Sequence, residues 1–218
     1  RLCRGVIVIS KGLADHVIEN GVPKDKVFVA HDGVDLDEFS VQQSREEVRK
    51  ELSLPLDKKI VGYVGKLTTM GEEKGVSSLL YAFVTARRTA EDLLFLLVGV
   101  NDDEKTETIR SFQEAGAVEG TYRIVGHVPH AEVPNYLRAS DVLVMNYPNT
   151  AHYAHIMSPL KLFEYMASGT PIITTDLPSV REVLSAEEAF FVAPENPAAL
   201  SAVLLDVMRD GDASAERA

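Results

Sequence analysis

The stretch Ser158-Pro159-Leu160-Lys161-Leu162-Phe163-Glu164-Tyr165-Met166-Ala167-Ser168-Gly169-Thr170-Pro171 holds the side chains best suited to chemistry. It predicts one short helix with both ends marked. Ser158 is placed to cap the first turn, Pro159 suits the first helical position, and Gly169 and Pro171 stop the helix. Leu160, Phe163 and Ala167 would form its apolar face, with Lys161, Glu164, Tyr165 and Ser168 opposite. Unpaired N–H groups at the start of the helix, the positive end of the helix dipole and the Lys161 ammonium would all favour a phosphate. Glu164, one turn on, would accept hydrogen bonds from vicinal sugar hydroxyls. A phosphate beside a ribose is half of a nucleotide-sugar site. The same spacing also fits an ordinary surface helix with a Lys161–Glu164 ion pair worth roughly a few tenths of a kcal/mol.

Two further lysines sit where a sheet would present them. Gly65-Lys66-Leu67 follows a predicted strand, and Lys74-Gly75 opens the next predicted helix. Lysines at the carboxyl end of a strand can neutralise a diphosphate leaving group as its charge develops; they can also be solvated surface groups. Gly62-Tyr63-Val64-Gly65 lacks the G-x-G-x-x-G spacing, and no Walker A sequence is present, so nicotinamide and flavin binding are unsupported. His127, in Gly126-His127-Val128-Pro129, is placed to stack on or hydrogen-bond a ligand, or simply to face solvent. His152 and His155 have no carboxylate or cysteine to complete a metal set, and no metal is expected. Glu182 reads as structural.

The elements that must position these residues follow from the apolar pattern. Strands are predicted at Ile60 to Val64, Leu94 to Val98, Tyr122 to Val125, Val142 to Asn146, Ile172 to Thr175 and Ala189 to Val192, several as continuous apolar runs. Between them lie helices at Val76 to Arg88, Glu104 to Ala115, Glu132 to Ala139, Pro159 to Ser168 and Ser179 to Leu184, with a last one at Pro197 to Arg209. This alternation predicts an α/β fold: a doubly wound, parallel, six-stranded sheet that takes ligands at the carboxyl ends of its strands. Ahead of it, Gly5 to Ser10, Lys11 to Asn20 and Lys26 to His31 read as a β-α-β unit. Arg45 to Leu52 reads as a charged helix on the outside. The expected division is a remnant with its linker at 1–39, a ligand-binding domain at 40–209 and a frayed tail at 210–218.

Composition narrows the partners. The 218 residues are 45% hydrophobic and 25% charged, with a net charge of −11. Such a balance argues against nucleic acid and against membrane contact from this segment. The single Cys3 cannot form an internal disulfide and reads as a bystander. No apolar run approaches the ~20 residues that span a bilayer. A start at Arg1, without methionine, suggests a piece of a longer protein.

Ser158 to Leu184 closely resembles the donor-binding signature of group 1 (family 4) retaining glycosyltransferases. Gly33-Val34-Asp35-Leu36-Asp37-Glu38-Phe39 and Val64-Gly65-Lys66-Leu67 with Lys74-Gly75 match further motifs of that family, in order. The resemblance covers most of the chain. It implies a GT-B enzyme of two Rossmann-like domains, of which this is the C-terminal, donor-binding one. It also implies a UDP-, GDP- or ADP-linked sugar as substrate, glycosyl transfer with retention, and neither cofactor nor metal. By that match Lys66 and Lys74 hold the diphosphate, Glu164 the ribose hydroxyls, the loop at His127 the base, and Gly33 to Phe39 crosses between domains. The acceptor, a glycan or lipid-linked sugar, would be bound by the missing N-terminal domain, so this segment alone is expected to bind donor without transferring sugar. A cytoplasmic protein is implied, any membrane-face association residing in that other domain. Three positions depart from the family: Lys66 stands for Arg, Asp32 for Asn, and Ile156 for the glutamate that touches the donor sugar. A nucleotide-sugar epimerase or phosphorylase shares this logic, and a degenerate binding module would explain Ile156. A flavodoxin-like signalling domain lacks its acidic cluster here.

Overall fold

Valine, isoleucine and leucine runs too continuous for a solvated face build the sheet that dominates this protein. The structure, a computed structural model, describes residues 3–69 and 71–210. The chain begins with β1 (Val6–Val8), α1 (Lys11–Glu19) and β2 (Val27–Val29), the two strands pairing in parallel. α2 (Leu36–Phe39) and α3 (Arg45–Glu51) lead to β3 (Lys59–Val64) and a hairpin of β4 (Thr68–Thr69) and β5 (Glu72–Glu73). Then come α4 (Val76–Arg87), β6 (Leu93–Val100), α5 (Lys105–Glu114), β7 (Tyr122–Gly126), α6 (Val133–Ala139) and β8 (Val142–Met145). α7 (Leu160–Ala167), β9 (Ile172–Thr175), α8 (Pro178–Arg181), β10 (Phe190–Val192) and α9 (Pro197–Arg209) complete it.

The main sheet has the order β10-β9-β8-β3-β6-β7, and each neighbouring pair is parallel. The chain moves from β3 outward to β6 and β7, then returns to the other side of β3 as β8. The carboxyl ends of β3 and β8 therefore flank the topological switch point, where open α/β sheets bind ligands. Helices cover both faces. Ile60 and Val64 join one core with Leu143, Leu162 and Tyr165, while Val61 and Tyr63 join the other with Phe83, Phe95 and Leu204. That split is the two-residue period of β3 read on its two sides. All of β6 is buried, as befits a strand covered on both faces. Among the described residues, no helix is long and apolar enough to cross a membrane. The expected frayed tail, from 211 onward, lies outside the described residues; Asp210 ends α9.

Two expectations change. Thr68 to Glu73 is not plain loop but the short β4–β5 hairpin. And α3 is not a purely outer helix: Ser44 and Glu47 form a capping box at its start, Val48 is fully buried, and Arg49 points inward. Arg49 Nη2 donates to Asp141 Oδ2 at 2.7 Å, and the same oxygen accepts from Ile60 N at 2.6 Å. Asp141 thus clamps α3 to the start of β3, and Arg45 adds a third donor at 3.1 Å. Asp141→Ala would leave the buried Arg49 charge without its carboxylate, an expected loss of about 3 kcal/mol in urea unfolding. A midpoint unchanged from the parent would mean that solvent replaces the lost partner.

Polar contacts tie the β1-α1-β2 unit to the segment ahead of α7 and to the end of α8. Ser10 Oγ donates to Ile156 O at 2.8 Å, and Glu182 accepts from Lys11 N at 2.8 Å, with His31 Nε2 3.8 Å away. A Cβ on Gly12 would lie 1.8 Å from His155 O, so α1 approaches that backbone as only glycine permits.

Candidate functional site

α7 faces the sheet with Lys161, Leu162 and Tyr165, not with the face that the apolar spacing predicts. Leu160 is 46% exposed, whereas Leu162 and Tyr165 are fully buried. The reason is Tyr165. Its Oη accepts from Val64 N at 2.9 Å and lies 3.2 Å from Val64 O, pinning the helix to the last residue of β3. One turn earlier, Lys161 is carried over the β3 terminus. Its Nζ lies 3.5 Å from the Tyr63 ring centroid and 5.8 Å from that of Tyr147, a cation–π setting.

Room for that ammonium comes from glycine. Gly65 has φ +129°, and a Cβ there would lie 2.8 Å from Lys161 Cε. Gly99, at the end of β6 with φ +100°, lets its backbone pass Gly65, since its own Cβ would fall 2.9 Å from Gly65 C and O. Lys161 Nζ is buried and finds no hydrogen-bond partner among the described residues. Burial drives its pKa well below the ordinary lysine value, the nearby Lys74 charge lowers it further, and Glu164 works in the opposite direction. Lys74 is shifted down as well, first by burial and then by Lys66.

These groups share a cavity of about 350 Å³ at the carboxyl ends of β3, β6 and β7. Of the residues singled out from sequence, Gly65, Lys66, Lys74, His127, Leu160, Lys161 and Glu164 line it, with Val128 and Val133 as apolar wall. Ser158 does not. Its Oγ accepts from Asp32 N at 3.0 Å, and Pro159 takes the N-cap place without a side-chain cap. The expected Ser158 cap is thereby replaced by a contact to the segment after β2. A Lys161–Glu164 surface pair is likewise not what forms. Glu164, with its side chain 14% exposed, meets His130 Nε2 at 3.3 Å.

Sequence reasoning passes over His130. It lies in a 3₁₀ turn (His130–Glu132) and its partner is 34 residues away. The available signal was its place just beyond Pro129, in the loop already marked by His127. His152 and His155 do not line the cavity. They belong to a π-helical turn (His152–Ile156) whose Tyr153 stacks on Tyr147 at 4.7 Å. Among the described residues, no group of three or more His, Cys, Asp or Glu is placed to share a metal ion.

Three converging ammonium groups and a carboxylate, at a switch point, suit a small anion that carries hydroxyls. A family model described as glycosyl transferases group 1 matches residues 58–210, the sheet domain almost entire. The chain belongs to the group 1 glycosyl transferases. AmsK, an amylovoran biosynthesis glycosyltransferase of Erwinia amylovora, is 25% identical over 201 residues, covering 92% of this chain and 46% of AmsK. The chain thus spans about half the length of such a relative. HepE of Anabaena, solved in complex with UDP, superposes with a TM-score of 0.78 at 18% identity, over all of this chain and 57% of HepE. The C-terminal domain of LpcC, a group 1 family protein of Francisella tularensis, superposes with a TM-score of 0.69 at 20% identity, over 85% of this chain and 92% of that domain. The fold is that of a GT-B C-terminal, Rossmann-like domain.

Proposed function

We propose that this chain is the donor half of a retaining glycosyltransferase and takes a nucleoside diphosphate sugar. The observation that supports it is the meeting, in one cavity with Glu164, of Lys66, Lys74 and the buried Lys161, which finds no hydrogen-bond partner among the described residues. A diphosphate would offer oxygens to all three ammonium groups. Glu164 would accept from the ribose hydroxyls, and the base would lie toward His127, Val128 and Leu160. During transfer the lysines would stabilise the negative charge that develops on the departing diphosphate. Lys66 in place of arginine would do so as a point charge, without a bidentate fork. No metal ion is needed in this reading. The acceptor, a glycan or lipid-linked sugar, would be held by a further domain preceding 1–39, so the chain alone would bind donor without transferring sugar.

UDP is the first candidate, because HepE was crystallised with it; GDP and ADP are the comparison. Calorimetry of the 218-residue chain with the three is expected to give preferential binding of one. Lys74→Ala and Glu164→Ala should each weaken it by about tenfold or more. Binding of none, or binding indifferent to both substitutions, would sink the proposal. A second reading, a binding-only module, draws on Ile156, which leaves no carboxylate at the family's sugar-contacting position. Sugar transfer on adding the acceptor half would rule that out.

A further inference from the structure

We propose that His130 is a positioning residue of the donor site, holding Glu164 so that its free oxygen meets the ribose. This rests on the reading of Glu164 given above. Glu164 is mostly buried, and a carboxylate in that position costs free energy unless it is hydrogen-bonded. The contact at hydrogen-bonding distance is His130 Nε2, 3.3 Å from Oε1. An ionised carboxylate has about four lone-pair directions over two oxygens, so one donor at Oε1 leaves Oε2 for a pair of vicinal hydroxyls. The role requires the proton on Nε2, because a carboxylate can only accept.

His130 is itself braced. Its ring makes a T-shaped contact with that of Phe39, with centroids 5.7 Å apart and planes at 76°. Phe39 is 3% exposed and ends α2, which packs directly on α7, the helix that bears Glu164. Although His130 is 59% exposed in its side chain, its ring is in T-shaped contact with Phe39 and one nitrogen meets Glu164. A histidine that merely faced solvent would have neither constraint. The arrangement joins the segment after β2 to the ribose end of the cavity through Phe39, His130 and Glu164.

The test compares two probes: whichever of UDP, GDP or ADP binds best, and inorganic pyrophosphate, which has no ribose. His130→Ala is expected to weaken the nucleoside diphosphate about tenfold, the order of one charge-assisted hydrogen bond, while pyrophosphate binding stays as in the parent. His130→Gln, whose amide N–H can replace Nε2–H, should recover most of the loss. In a Glu164→Ala background, His130→Ala should do nothing further. Unchanged affinity in His130→Ala, a parallel fall for pyrophosphate, or an additive loss on top of Glu164→Ala would each overturn the proposal, the last by making His130 a direct contact. The single variant Glu164→Ala reports separately on the ribose reading. If it leaves nucleotide affinity intact, that reading fails, and the positioning role fails with it.

Discussion

Lys161→Met is expected to make the chain more stable and nearly unable to bind a nucleoside diphosphate. The Lys161 ammonium has left water without gaining a hydrogen bond among the described residues, with Lys74 adding repulsion. The Tyr63 face 3.5 Å away recovers only part of that cost. Methionine has a similar volume and an apolar, flexible stem that fits between Tyr63 and Gly65. Removing a poorly compensated buried charge commonly gains about 1–3 kcal/mol. At this chain length that corresponds to a melting midpoint higher by roughly 2–4 °C for each kcal/mol. Binding should fall about 100-fold, because a buried cation is the donor that a diphosphate rewards most. A variant that binds as the parent does would remove Lys161 from the donor site.

The same lysine sets a pH dependence with a definite sign. Its folded-state pKa lies well below the ordinary lysine value, so between the two the unfolded chain binds more protons than the folded one. Stability contributed at this site therefore rises with pH through that window, whose upper end is the unfolded value of about 10.4. Below the lowered pKa the full penalty is present; above the upper end it is gone. Tyr63 and Tyr165 titrate in the opposite sense, since burial raises their pKa values and stability is lost as the unfolded phenols ionise near about pH 10. Both variant and parent contain those tyrosines, so the difference between them isolates Lys161. The advantage of Lys161→Met should shrink steadily as pH is raised toward about 10. A constant advantage would mean that Lys161 titrates as an ordinary lysine.

Much of this was legible because the physical causes are local. The run Leu93–Val100 is too apolar for anything but a strand covered on both faces, and the alternation of such runs with helices leaves few topologies. Gly65 and Lys74 could be placed near a ligand because they follow a strand end. The orientation of α7 was not legible. Leu160, Phe163 and Ala167 make one apolar stripe and Leu162 with Tyr165 another, so the spacing pointed to the first stripe where the structure buries the second. The choice is made by a hydrogen bond from Val64 N to the Tyr165 hydroxyl, 101 residues apart in sequence. Lysine composition favours exposure, and nothing in the chain indicates that Lys161 is buried against the Gly65 backbone. Ser158 has the composition of a cap, yet the tertiary partner Asp32 N takes its hydroxyl. His130 was missed for the same reason: its importance lies in Glu164 and Phe39, neither of them near it in sequence.

Gly75→Ala should be among the most damaging small substitutions in the molecule, and Gly71→Ala provides its control. Both glycines lie in the left-handed region, at φ +79° and φ +81°. Adding a Cβ in that conformation costs about 1–2 kcal/mol by itself. At Gly71 nothing among the described residues beyond its chain neighbours lies within 4 Å of the new atom, so the cost should stop there. At Gly75 the new atom would fall 1.6 Å from the main-chain oxygen of Asn146, in the exit from β8. Asn146 is 5% exposed, and its Nδ2 donates back to Gly75 O at 3.3 Å, so neither backbone can yield without breaking the contact. The total should exceed about 3 kcal/mol in urea unfolding. Displacing α4 from β8 would also carry Lys74 away from Lys161, and nucleoside diphosphate affinity should fall with stability. Equal costs for the two alanines would mean that the β8 exit relaxes freely, and that the crossing of α4 with the switch point is not what fixes the lysines in place.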